Sequence, residues 1–136
     1  NEVYPRKEGE ILVLMGHGTE HFANNTYAAL NFMFELNGNK DVIVGTVEGY
    51  PDFDTALSEI DALQPNKIIL APLMEVAGDH ANNDMAGDDA DSWKSMLKAA
   101  GYDVEPMLHG LGEFAGIQQM FVEHIGDAMA KAENND

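Results

Sequence analysis

The chain has 136 residues, 45% of them hydrophobic and 23% charged, a balance that fits one globular domain with a real core and excludes disordered and fibrous classes. It contains no cysteine, which excludes disulfides, thiolate zinc sites, iron–sulfur ligation and cysteine nucleophiles, so any metal must bind through histidine and carboxylate. The net charge of -17, with Arg6 the only arginine, argues against a nucleic-acid partner and makes cations the natural guests.

The opening NEVYPRKEGE lacks an initiating Met and reads as a stretch cut from something longer, so an absent signal peptide says little. The first strand is EILVLM, 10–15, continuous in apolar residues as a strand buried on both faces should be. A helix is predicted from Thr26 to Asn37, with Leu30, Met33, Phe34 and Leu36 on its apolar face and Gly38 as its stop. The second strand is DVIVGTVE, 41–48, and a second helix follows Pro51, carrying Phe53, Ala56, Leu57, Ile60 and Leu63 at helical spacing until Pro65 ends it.

The third strand is KIILAPLME, 67–75; a third helix begins near Asp88 and includes Trp93, Met96 and Leu97 before Gly101. The fourth strand is YDVEPMLH, 102–109, and a last helix spans Glu113 to Ala130, leaving a polar, frayed tail KAENND. No apolar run approaches the roughly 20 residues of a membrane span. Four strand-then-helix units predict an α/β fold: a parallel four-stranded sheet with helices on both faces, doubly wound in the Rossmann-like manner, in a single domain over 1–136.

In such a sheet ligands gather outside the carboxyl ends of the strands. Those ends read MGHGTEH (15–21), VEGYP (47–51), MEVAGDHANND (74–84) and LHGLGE (108–113). His17, between Gly16 and Gly18, has an imidazole unshielded by neighbours and reads either as a ligand or as a hydrogen-bonding histidine in a tight turn. Glu48, after a mostly apolar strand, needs a partner, water or a metal, or else caps the helix after Pro51. His80, in the polar loop GDHANND, is a ligand or a solvated loop histidine.

Together, two imidazoles and a carboxylate suit a borderline divalent metal, with cobalt, nickel, iron and zinc all fitting. The acidic run GDDADSW, 87–93, reads as N-capping and dipole charge for the third helix rather than as ligands. His21 and His109 are weaker candidates, and His124 falls inside the last helix. No serine elbow and no phosphate loop are present, and a histidine phosphatase would need arginines beyond Arg6.

The order MGHGTEH, VEGYPD, PLMEVAGDHANNDMAGDDADSWK and HGLGE closely resembles the anaerobic cobalt chelatases that metallate sirohydrochlorin in cobalamin biosynthesis. The third block is long and unusual enough to be specific. The resemblance implies one chelatase-type domain like the metal-binding C-terminal half of proteins with two similar α/β domains facing across a cleft, related in fold to the ferrochelatases. Either an excised half or a half-size chain that dimerises fits this length, and the truncated-looking start favours the first.

Carried over onto this sequence, the family's metal ligands fall on His17, Glu48 and His80, with His17 also the catalytic proton acceptor. The resemblance further implies cobalt(II) as substrate metal, sirohydrochlorin as the tetrapyrrole partner, and a cytoplasmic location with the periplasm as alternative. A non-enzymatic metal or tetrapyrrole binding module is the rival reading. A nucleotide-binding domain of flavodoxin-like shape rests on fold analogy alone.

Overall fold

A computed structural model describes residues 3–133 of the chain. The expected end fraying therefore lies outside the described residues from 134 onward, while Lys131 and Ala132 still belong to a helix. Four parallel strands, β1 (Glu10–Gly16), β2 (Val42–Thr46), β3 (Lys67–Pro72) and β4 (Val104–Pro106), form one sheet in the order β2-β1-β3-β4. Their carboxyl ends all point one way, which is what the strand-then-helix repeat demands.

Helices α1 (Asn25–Leu36), α2 (Phe53–Leu63), α3 (Trp93–Ala99) and α4 (Ala115–Glu133) follow the strands in turn. Alternate residues of the central strands feed two separate cores. Ile11, Val13, Met15, Ile68 and Leu70 pack with Ala56 and Ile60 of α2 and Trp93 and Leu97 of α3. Leu12, Leu14, Val44, Ile69 and Ala71 pack on the other face with Tyr27, Leu30 and Phe34 of α1. A strand sandwiched this way has no polar face, hence the unbroken apolar runs.

Several boundaries differ from the sequence expectation. β2 stops at Thr46, whose amide turns to the Pro51 carbonyl at 2.6 Å, so Glu48 sits in the following turn and not in a buried strand. β3 ends at Pro72 and β4 has only three residues; proline removes the amide that would continue a ladder. The third helix starts at Trp93 rather than near Asp88. Its N-cap is Ser92, which accepts from the Ser95 amide, and not one of the aspartates before it; Asp88 instead meets Lys94 at 2.7 Å.

Three short turns had no counterpart in the sequence reading: 3-10 turns at Phe22–Asn24 and Leu111–Glu113, and a π-turn at Ala81–Met85. Of the apolar side chains described on α4, Ile117 is partly covered, while Met120, Phe121, Val122, Ile125 and Met129 are exposed. No helix among the described residues is long and apolar enough to cross a membrane.

Candidate metal centre

His17 is the first residue after β1, and the chain keeps pairing for two residues past the strands. Val47 donates to the Gly16 carbonyl at 3.0 Å and Glu48 to the His17 carbonyl at 2.8 Å, which locks the two turns side by side. Gly18 has φ +82°, and a Cβ there would lie 2.7 Å from the Gly49 nitrogen. Any other residue would strain the backbone and push the Glu48 turn away. Asn24 ties the same two turns from outside, accepting from the Thr19 amide at 3.0 Å and donating to the Tyr50 carbonyl at 2.7 Å.

His80 arrives from the other side, at the head of the π-turn rather than in a loop. Ala81 and Met85 are fully buried and anchor that turn, and Asn82 donates to the Ala77 and Gly78 carbonyls. The imidazoles meet edge to face, 4.3 Å between ring centres, with their Nε2 atoms 2.9 Å apart. Glu48 closes the group: its carboxylate is 3.8 Å from His17 Nδ1, and one ligand atom from each of the three lies within 4.8 Å of the others. The side chains of His17, Glu48 and His80 are 44%, 58% and 39% exposed, so the centre opens to solvent and the sequence argument from a buried Glu48 does not hold.

Partner chemistry assigns the protons. His17 Nδ1 lies 2.9 Å from the Gly18 carbonyl and His80 Nδ1 lies 2.6 Å from Asp84 Oδ2; both partners only accept, so both Nδ1 atoms carry hydrogen. With both rings neutral, the two Nε2 atoms present lone pairs to each other at 2.9 Å, a contact that a shared metal ion, or a proton on one of the two nitrogens, turns from repulsive to attractive. Neutral imidazoles and a carboxylate are the donor set of a borderline divalent ion.

The alternative roles for these residues and their neighbours sort themselves out. Asp52, not Glu48, caps α2, accepting from the Thr55 amide and hydroxyl; those two bonds, hydroxyl foremost, hold its carboxyl below the usual range. His21 caps the first 3-10 turn by accepting from the Ala23 amide at 3.2 Å. His109 is engaged with Glu113 at 3.0 Å, and that contact, with the Gly110 amide, lowers the Glu113 carboxyl. His124 is exposed on α4. Sequence reasoning missed Asn24 and Asp84, which ligand type and strand-end position alone do not single out.

Beside the centre, a recess of about 440 Å³ is lined by Asp52, Asp54, Asp84 and Asp91 with Thr46 and Trp93. A cavity of about 460 Å³ lies elsewhere, between α1 and α2 at the outer edge of β2, and contains none of the three ligand candidates.

The family model described as cobalt chelatase (CbiK) matches residues 1–130. The chain belongs to that family. Within it, the chain is 44% identical over 126 residues to the sirohydrochlorin cobaltochelatase of Salmonella typhimurium, covering 93% of this chain and 47% of that protein. It is 38% identical over 125 residues to the sirohydrochlorin cobaltochelatase CbiKC of Nitratidesulfovibrio vulgaris, covering 92% of this chain and 44% of the relative. This CbiK-family chain thus spans about half the length of the relatives it matches.

Proposed function

We propose that this chain carries the metal-handling part of a sirohydrochlorin cobaltochelatase, with His17, Glu48 and His80 as the ligands that present cobalt(II) to the tetrapyrrole. The observation that carries the reading is the convergence of three ligand atoms within 4.8 Å, with the two Nε2 atoms 2.9 Å apart and both Nδ1 atoms engaged elsewhere. With imidazole–metal bonds of about 2.1 Å, a shared ion would see the two nitrogens at roughly a right angle, leaving other coordination positions open. The names of the two relatives supply the tetrapyrrole and the metal.

Insertion transfers the ion from protein ligands to four ring nitrogens while two pyrrole N–H bonds break. A weak, open, half-exposed centre favours that exchange, because the ring nitrogens can enter while protein ligands still hold the ion. When His17 releases the metal, its Nε2 lone pair becomes free at the place where a pyrrole proton must go, so one atom serves as ligand and then as proton acceptor. His80 frees an equivalent lone pair for the second proton. The acidic recess next to the centre attracts divalent cations and disperses the released protons.

The test is cobalt(II) insertion into sirohydrochlorin followed by absorbance of the metallated product. His17→Ala should abolish insertion while the far-ultraviolet circular dichroism stays that of the parent. Full activity in His17→Ala would contradict the mechanism, and tight cobalt binding without turnover, even when the chain is paired with the facing domain of a relative, would favour a carrier.

A further inference from the structure

Of the polar contacts around the centre, the one between His80 and Asp84 has no place in the ligand set itself. Its length, 2.6 Å from Nδ1 to Oδ2, is that of a charge-assisted bond, stronger than one to a neutral acceptor. Asp84 also lies four residues after His80 in a stretch the chain winds as a π-turn, with Ala86 donating to the Ala81 carbonyl at 3.2 Å. Such wide turns are concentrated at functional sites because they re-aim side chains that a regular helix would point elsewhere. The turn is held at both ends, because Ala81 and Met85 are fully buried, and it closes tightly at its C-terminal end, where a Cβ on Gly87 would lie 2.3 Å from the Asn83 carbonyl oxygen.

We propose that Asp84 is the positioning residue of the metal centre. Its carboxylate fixes the His80 ring with Nδ1 protonated and Nε2 bare and aimed at His17. This rests on the reading of His17, Glu48 and His80 as metal ligands.

A consequence is asymmetry between the two imidazoles. His17 is oriented by the neutral carbonyl of Gly18, His80 by an ionised carboxylate, and a carboxylate partner raises the basicity of the ligating nitrogen more. His80 therefore holds the ion more firmly, and His17 is the imidazole that lets go first and becomes free for the proton. Asp84 touches neither ion nor tetrapyrrole in this scheme; it acts through His80.

The experiment compares cobalt(II) affinity by calorimetry in the parent chain, Asp84→Ala, Asp84→Asn and His80→Ala. Loss of an orienting partner of this kind weakens metal binding about 10–100-fold, and that is the result expected for Asp84→Ala. Asp84→Asn, whose amide oxygen still accepts from Nδ1 but carries no charge, should recover part of the affinity. In the zinc-loaded protein, used as a diamagnetic probe, proton NMR should show a slowly exchanging downfield His80 Nδ1–H signal in the parent and in Asp84→Asn.

Parent-like affinity in Asp84→Ala would overturn the proposal, as would equal losses in the Ala and Asn variants, which would make Asp84 a direct ligand. Should Asp84→Ala fail to fold, the Asn variant and the NMR signal of the parent still decide: an absent signal contradicts it. If the parent and His80→Ala bind cobalt equally weakly, the ligand reading itself fails. A strong parent, a weak His80→Ala and an unaffected Asp84→Ala would sink the positioning role alone.

Discussion

Gly18 concentrates much of the centre's design in one residue. It combines a left-handed φ of +82° with a backbone approach to Gly49 that leaves no room for a methyl group. Gly18→Ala should destabilise the chain by about 2 kcal/mol or more, the sum of left-handed strain and a displaced turn, and weaken cobalt binding by moving Glu48 off His17. A parallel denaturation and calorimetric titration would show both losses together. Asn24→Ala removes the tie between the same turns and should cost about 1 kcal/mol, since the amide and carbonyl it releases are open enough to be taken up by water. At this scale the sequence was informative about ligand type: a histidine between glycines, a carboxylate after an apolar run and a histidine in a polar segment are unusual enough to stand out. It was silent about Asp84, because nothing in a string of aspartates marks which one reaches an imidazole.

Among elements, β2 is one of the two edge strands of the sheet, and the chain closes its open flank without a further strand. Its three outward amides all find partners: Val42 donates to the Asn39 carbonyl, Val44 to Asn31 Oδ1 at 2.8 Å, and Thr46 to the Pro51 carbonyl. Asn31 is itself held by Glu59 of α2. Asn31→Leu should expose the Val44 amide on an edge bordered by exposed Phe32 and Leu63, and edges with free amides recruit other strands. Concentration-dependent association in sedimentation velocity, absent from the parent, is the expected outcome. Ser92→Ala should cost about 1 kcal/mol of stability through the lost α3 cap, as read by urea denaturation.

The four strands were legible because residues buried on two faces leave continuous apolar runs, and α2 because its apolar spacing lies between two prolines. The ends were not. Val47 and Leu73 prolonged the apolar pattern past strands whose regular geometry ends just before them, although their amides still reach the Gly16 and Met15 carbonyls, and Pro106 capped β4 at three residues. A π-turn of five residues is too short for its period to be told from that of an ordinary helix.

Across the whole molecule, the charge of -17 sets two opposite salt responses. Under the proposed function, attraction of cobalt(II) is screened as ionic strength rises, so its affinity should fall; sirohydrochlorin carries many carboxylates, and its repulsion is screened too, so its capture should improve. Titrations of each substrate between low and physiological salt test this, and parallel trends would contradict it. Acid acts through the paired carboxylates. The Arg6 guanidinium, chiefly by its hydrogen bond at 2.6 Å, holds the Asp41 carboxyl below the usual range. A lowered native value means the stabilisation is complete above the ordinary aspartate range near pH 4 and is lost as pH falls through the lower native value. Asp41→Asn should therefore be less stable than the parent at pH 7, with the gap closing in acid, as seen in denaturation midpoints from pH 7 to pH 2.5.

The central claim is that His17, Glu48 and His80 hold one divalent ion together. X-ray absorption at the cobalt edge of the loaded chain tests it most directly. Two imidazole nitrogens and carboxylate oxygen around cobalt in the parent, falling to one imidazole in either His17→Ala or His80→Ala, is the result predicted. An all-oxygen shell, or two imidazoles that survive both substitutions, would contradict it.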